Sequence, residues 1–482
     1  MKEKLTIEFL VPPVVIGKQP AERSSGCTHV VYATPNIYEL QVASCVREAG
    51  FSVRYTDCIN HHKDIKKWLS EERQQPARVY VIWTVNLSIE NDLESVRQLH
   101  NVLPDTKVVL LGPGSTYFGS KYPMDDNTVV VLGEPEQTLV ELLSKWNEKQ
   151  EWKDTEGIGY WQDGVYHRTA MRPLMKDLDM LPFPARDLVA DIEYRNPKLK
   201  VTPYATMVTS RNCPFRCIYC VPSSLTFARE IEYKAHYHRK PPISFRSVEK
   251  VAEEVDFLAA QGIRAIGFMD DNFIWNEQRT VAICEALRRN HIVWGCQARV
   301  DAITENIARV LGESGCLYVD LGVESFNDDI LNYIRKGITS GQIYEAIQLL
   351  QKHKVPVKLN ILIGTSPLET KQTIRDTIRK AKQLHVDQLM INIVSPFPGT
   401  EFYQMALDNG WIKNGEYVPT DVQRNSILNY PHLSSDEMER LLFQSNISYF
   451  LSPGFVWTQL RRFRSWKDFR HALQTLKVKL FG

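Results

Sequence analysis

The chain has 482 residues, 43% of them hydrophobic and 24% charged, values that fit a globular protein and exclude disordered and fibrous classes. Lys plus Arg number 58 against 57 for Asp plus Glu, a formal net charge of +1, so no global field selects nucleic acid and a charged partner needs a local patch. Nine cysteines, an odd number, point to thiols in a reducing cytoplasm rather than to a disulfide framework. The first ten residues are charged and too short in apolar run for a signal peptide, and no apolar stretch approaches the ~18 residues of a spanning helix.

Taken in chain order, Leu5 to Val11 reads as a strand stopped by Pro12-Pro13, and Tyr38 to Glu48 has helical spacing ending at Gly50. Phe51–Tyr55, Arg78–Trp83, Lys107–Leu111 and Val129–Leu132 read as further strands, the last followed by a helix through Leu143. Strands alternating with helices imply a parallel sheet covered on both faces, so residues 1–148 are expected to form one doubly wound, Rossmann-like domain. Residues 149–198 form a connector, with Gly157, Gly159 and Gly164 among short strands and Leu181-Pro182-Phe183-Pro184 unsuited to an element interior. Alternation resumes in strands at 205–209, 265–269, 294–298, 317–321, 357–363 and 388–393. Six strand–helix repeats over residues 199–400 suggest a partial or full (β/α) barrel with its chemistry at the C-terminal strand ends. Residues 401–482 return to mostly helical patterning.

Cys213, Cys217 and Cys220 place three thiols within eight positions, directly after the first strand of the barrel region. Such spacing lets one loop wrap a metal centre. Structural zinc wants four ligands, usually in two pairs, whereas Cys284, Cys296 and Cys316 are isolated. Three thiolates on a [4Fe–4S] cube leave one iron open to a small molecule, which suits chemistry better than plain electron transfer.

The Cys-x3-Cys-x2-Cys loop after a barrel's first strand resembles the radical S-adenosylmethionine superfamily. The resemblance implies that Cys213, Cys217 and Cys220 hold the cluster, whose open iron is chelated by the amino and carboxylate groups of S-adenosylmethionine. One electron then cleaves the sulfonium to a 5′-deoxyadenosyl radical that abstracts substrate hydrogen. Tyr219 matches an aromatic position near the adenine. Asp270 and Asp271 resemble the segment that meets the methionine amino group; the alternative is a helix cap with a solvated carboxylate pair. Glu324, in Leu321-Gly322-Val323-Glu324-Ser325, looks like the Gly-x-Glu-Ser element that serves the ribose or amino group, against a buried structural carboxylate. Gln297 and Arg299 flank the third strand's end, where a guanidinium suits the cosubstrate carboxylate; an Arg299–Asp301 ion pair is the other reading. Ile363-Gly364-Thr365 departs from the family's Gly-x-Pro-Gly-Glu-Thr form, and Ser395 to Thr400 reads as a rigid turn.

In the first domain the strand ends carry small or polar residues, where ligands of open α/β sheets bind. Leu111-Gly112-Pro113-Gly114-Ser115-Thr116 and Leu132-Gly133-Glu134-Pro135-Glu136, ahead of Asp179 to Pro184, resemble the cobalamin-binding branch of the superfamily. The resemblance implies cobalamin, its nucleotide tail lined by Thr84, Gly112, Ser115, Gly133 and Glu134. The alternative is a domain that kept the shape and lost the cofactor. Residues 12–27 contain no histidine, so the Asp-x-His-x-x-Gly cobalt ligand of many cobalamin domains is missing, and His61 and His62 follow the wrong strand.

The implied activity is that of the branch's methyltransferases, in which a carbon radical takes a methyl group from methylcobalamin. The rivals are a cobalamin-dependent radical cyclisation or oxidation without methyl transfer, and a non-catalytic iron–sulfur redox or sensing protein. A methylthio-transferase would need an N-terminal cysteine cluster, and Cys27, Cys45 and Cys58 are widely spaced. No general base is assigned. Expected partners are a small-molecule or lipid-like substrate and a reductant such as flavodoxin or ferredoxin, with no nucleic acid. Residues 453–482 are basic and aromatic, with Leu460, Phe463, Trp466, Phe469 and Leu473 on one helical face. They read either as a terminal helix packed on the barrel or as a peripheral membrane contact. The expected location is the cytoplasm, with membrane association as the variant.

Overall fold

The computed structural model describes residues 5–17, 19–26, 28–29, 32–452 and 455. Its contacts divide the chain into two units, the first comprising residues 1–214, 221–273 and 278–296, the second 215–220, 274–277 and 297–482.

The first unit opens with β1 (Thr6–Val11), α1 (Ile37–Glu48), β2 (Ser52–Asp57), α2 (Ile65–Glu72), β3 (Val79–Trp83), α3 (Ile89–Val102), β4 (Lys107–Leu111), α4 (Gly112–Phe118), β5 (Thr128–Val131), α5 (Glu136–Glu148), β6 (Ile158–Gln162) and β7 (Val165–Arg168). They build a sheet of order β2-β1-β3-β4-β5-β6-β7, parallel through β5 and antiparallel at β6 and β7. Every residue of β3 is buried, as a parallel strand covered on both faces requires. The doubly wound reading therefore stands, and the short strands expected in the connector join this same sheet. Asp163 and Gly164 make their hairpin, both with positive φ, the backbone that a two-residue turn matched to strand twist demands.

The unit continues with β8 (Tyr204–Met207), β9 (Ser210–Arg211), α6 (Ser224–Tyr237), β10 (Ser244–Phe245), α7 (Val248–Ala260), β11 (Ala265–Phe268), α8 (Glu277–Arg289) and β12 (Val293–Ala298). β8, β11 and β12 pair in parallel, while β9 and β10 form a short antiparallel ladder. Helix α6 lies against α4.

The second unit holds α9 (Glu305–Glu313), β13 (Cys316–Glu324), α10 (Asp328–Tyr333), α11 (Ser340–Lys352), β14 (Val357–Ile363), α12 (Lys371–Gln383), β15 (Gln388–Ile393), α13 (Glu401–Asp408) and α14 (Ser435–Phe450). β13, β14 and β15 are parallel neighbours, and β14 alternates buried with half-buried residues, the inside–outside pattern of a barrel wall. Capping boxes at Thr339, Thr370 and Ser434 start α11, α12 and α14, each satisfying two orphan N–H groups. All six strands expected of the barrel region are present, three to a unit. Between α13 and α14 the chain is less helical than expected, with bridges Ile412–Leu428 and Tyr430–Leu433. The basic aromatic stretch from Leu460 to Phe481 lies outside the described residues.

Candidate functional site

Cys213, Cys217 and Cys220 are half-buried free thiols in the loop after β9. Ile218 and Tyr219 between them are buried, and the Ile218 backbone is pinned by N–H donation to the Ile334 carbonyl at 3.3 Å and acceptance from the Phe402 N–H at 3.0 Å. The donor set therefore suits an iron–sulfur cluster: thiols outside any disulfide, on a short loop fixed at its middle. Among the described residues no three His, Cys, Asp or Glu side chains converge on a single-ion site. A cube binds each thiolate through a different iron, so its ligands need no such convergence.

In the second unit, Tyr219 leads to a buried polar chain. The Lys336 ammonium donates to Glu324 at 2.8 Å and to the Tyr219 hydroxyl at 3.3 Å. Burial works against the Lys336 charge, yet Glu324 and Cys217 beside it hold its pKa above the usual lysine value. Burial, then Glu324 and the two neighbouring thiols, push the Tyr219 phenol far up, so it stays a neutral hydroxyl. Glu324 ends β13 in a left-handed conformation, φ 67°, beside a register shift at Gly322. Such a bulge re-aims a side chain out of the strand's alternation. A side chain at Gly322 would meet Glu324 Oε1 at 2.8 Å and Lys336 Nζ at 3.0 Å, so the glycine makes room for the pair. Lys336 is not among the residues the sequence singles out. In Arg335-Lys336-Gly337, just past α10, it looks like an ordinary basic helix end.

Arg299 is buried, with paired donation to Asp301 at 2.9 and 3.0 Å and to the Lys336 carbonyl at 2.8 Å. Its guanidinium also stacks 3.5 Å from the Phe215 ring centre. The ion-pair reading of Arg299 is thus realised. Gln297 is exposed.

In the first unit, Asp270 is no rim carboxylate. It is 1% exposed and accepts the Thr209 N–H, the Thr209 hydroxyl at 2.8 Å and the Ser210 hydroxyl at 2.5 Å. Burial nevertheless raises its pKa to about 6. The carboxylate thus ties Thr209, between β8 and β9, and Ser210, the first residue of β9, to the segment that follows β11. Asp271 accepts the Ser223 N–H at 2.6 Å through one oxygen, while the other is buried without a hydrogen-bond partner.

The strand ends of the Rossmann-like part are closely packed. The Thr84 hydroxyl donates to the Leu111 carbonyl at 2.8 Å and accepts the Ser115 N–H at 2.7 Å. Gly112 and Gly133 have φ of 90° and 73°; a side chain at Gly112 would strike the Thr84 carbonyl and come within 2.9 Å of Trp83 Nε1. Glu134 accepts Arg211 at 2.6 Å and the Met175 N–H at 2.7 Å and is ion-paired with Arg229 at 3.0 Å, leaving little of it for a ligand. His61 pairs with Asp191 at 3.0 Å.

A short loop of three free thiols following β8 and β9, fixed at its middle, fits the class of proteins built on iron–sulfur chemistry. The Radical SAM superfamily model matches residues 207–394. An uncharacterized methyltransferase of Pyrococcus horikoshii is 31% identical over 363 residues, which are 73% of this chain and 74% of that protein. The anaerobic magnesium-protoporphyrin IX monomethyl ester cyclase of Cereibacter sphaeroides is 22% identical over 401 residues, 80% of this chain and 62% of the cyclase. Among solved structures, the cobalamin-dependent S-adenosylmethionine radical enzyme OxsB superposes with a TM-score of 0.72 and 14% identity, over 99% of this chain and 72% of that one; at that identity the likeness concerns the fold. The chain belongs to the radical S-adenosylmethionine superfamily. With membership come the cofactor and cosubstrate that define the superfamily, a [4Fe–4S] cluster and S-adenosylmethionine. No helix among the described residues is long and apolar enough to cross a membrane.

Proposed function

We propose that the protein is a cobalamin-dependent radical S-adenosylmethionine enzyme that methylates an unactivated carbon of a small-molecule or lipid-like substrate. The observation that carries this reading is the loop of three free thiols, Cys213, Cys217 and Cys220, with the buried Tyr219–Lys336–Glu324 chain beside it. Bound together, cluster and cosubstrate supply a carbon-centred oxidant, and cobalamin supplies a methyl group. The chain's own part is to hold, orient and exclude water.

Cys213, Cys217 and Cys220 would hold the cluster. Lys336 has three N–H donors, of which two are used on Glu324 and Tyr219; the third is available to a carboxylate. Glu324 retains acceptor capacity for an amino or ribose hydroxyl group. On this reading the cobalamin tail would pass Thr84, Gly112, Ser115 and Gly133 at the ends of β3, β4 and β5, where Thr84 and Ser115 already bond to each other. The relatedness to a methyltransferase favours methyl transfer. The relatedness to a ring-closing cyclase favours the second reading, radical cyclisation on the same machinery. An electron carrier of the flavodoxin or ferredoxin type would reduce the cluster, and the cations from Arg461 to Lys479 support a peripheral contact with anionic lipid at a cytoplasmic membrane face.

Anaerobic reconstitution with iron and sulfide, then S-adenosylmethionine and reductant, is expected to yield 5′-deoxyadenosine. Replacing the three cysteines with alanine should abolish it; a protein that remains colourless, or triple variants that still turn over, would sink the proposal. Methyl-labelled cosubstrate incubated with candidate lipids and tetrapyrroles separates the two readings: label in product means methylation, unlabelled ring-closed product means cyclisation.

A further inference from the structure

Four buried charges meet in the first unit immediately before the cysteine loop. Arg211 donates from one guanidinium nitrogen to Glu134 and from the other to Glu136, each at 2.6 Å. Arg229 from α6 pairs with Glu134 at 3.0 Å and donates to the Asn212 side chain. The four side chains are 0–9% exposed. Two guanidinium groups face two carboxylates, so the cluster is neutral. Burial alone would push the Glu134 carboxyl up, but Arg229 and Arg211 hold it below its usual range.

The backbone beside the group is held at several points. Asn212 has φ 73° and donates its N–H to the Thr226 hydroxyl at 3.2 Å. The preceding residues, Thr209 and Ser210, are tied by Asp270. Cys213 is the next residue. The backbone two residues before it is therefore tied, through Arg211, to acidic side chains that come after β5. A buried ion pair contributes little net stability over an apolar substitute, which points away from mere structural glue and toward placement of the adjoining thiol.

We propose that Glu134, with Glu136, acts through Arg211 as a positioning residue for Cys213, fixing the orientation of that thiolate and the electrostatic surroundings of the cluster it binds. The inference rests on the reading of Cys213 as a cluster ligand. Its sign is definite. Neutralising Glu134 leaves the quartet with a net positive charge, which favours the more negative, reduced cluster and raises its reduction potential. Neutralising Arg211 leaves a net negative charge and lowers it. Hydrogen bonds and charges behind the ligands are established levers on iron–sulfur potentials.

The test is an anaerobic redox titration of the reconstituted full chain, read by electron paramagnetic resonance of the reduced cluster, for wild type, Glu134→Gln, Glu134→Asp and Arg211→Gln. Glu134→Gln is expected to move the midpoint up and Arg211→Gln to move it down, with Glu134→Asp restoring most of the wild-type value. Variants that keep wild-type circular dichroism but lose the cluster also support the positioning role. Equal midpoints, or shifts of one sign in both neutral variants, overturn it. If Glu134→Gln does not fold, Glu136→Gln replaces it, since that carboxylate touches Arg211 through the other nitrogen. A wild-type protein that takes up no cluster refutes the proposed function instead, so the two failures are distinct.

Discussion

Glu39 on α1 illustrates how one side chain sets a pH response. It is fully buried, accepts the Tyr55 hydroxyl at 2.8 Å through one oxygen and leaves the other without a hydrogen bond. Burial raises its pKa to about 8, against the pull of Arg23. Between the unfolded carboxyl value and about pH 8 the folded chain holds a proton that the unfolded chain has released, so stability falls as pH rises through that window. Glu39→Gln is therefore predicted to stabilise the protein by a margin that grows across the window, to about 4 kcal/mol at pH 8; urea melts at pH 5.5 and 8 check this. Lys336 gives the opposite kind of prediction. Lys336→Met strands the buried Glu324 carboxylate and is expected to cost about 3 kcal/mol of stability. It should also weaken S-adenosylmethionine binding at least about tenfold, measured by equilibrium dialysis. At this scale the sequence speaks unevenly. Three closely spaced cysteines announce themselves, and Asp301 two residues after Arg299 is a visible partner. Arg211 and Lys336 give no local signal, because their meaning lies in Glu134 and Tyr219, far along the chain.

Elements were legible where their period was strong. β4, β14 and β15 fall where their apolar runs lie, and the six barrel strands follow from the alternation of runs and helical patterns. β13 runs three residues beyond its expected end, because Gly322 interrupts the apolar pattern while the bulge carries the strand on to Glu324. The β6–β7 hairpin was visible as short strands, but its place on the first sheet depends on pairing with β5, which no local pattern encodes. The loop between α13 and α14 has enough apolar residues to look helical and instead makes bridges. Glycine roles at the element ends separate by environment. Gly112→Ala is expected to cost about 3 kcal/mol, since overpacking adds to a left-handed backbone. Gly164→Ala, at φ 77° in the hairpin turn with open space around it, should cost about 1 kcal/mol. Denaturation midpoints of the two variants test the contrast.

For the whole molecule, the fold and the superfamily were readable because a parallel sheet, a barrel repeat and a thiol loop appear in a fixed order; the substrate was not, since its recognition depends on residues scattered over several loops. A ligand that binds only the native state raises stability by mass action, so cluster-loaded protein is expected to melt at a higher temperature than the same sample after anaerobic chelation, as differential scanning calorimetry would show. The quartet around Arg211 has a further consequence during synthesis. Chains emerge amino end first and their early domains can fold before the rest is made. The acidic pair at Glu134 and Glu136 thus leaves the ribosome well ahead of Arg211, as a waiting receptor. When the thiols appear, only the acidic half of their anchorage is in place, since Arg229, Thr226, Ile334 and Phe402 follow them in the chain. A circular permutant beginning at the barrel would reverse this timetable and should mature with less iron, although every contact in the finished fold would be unchanged.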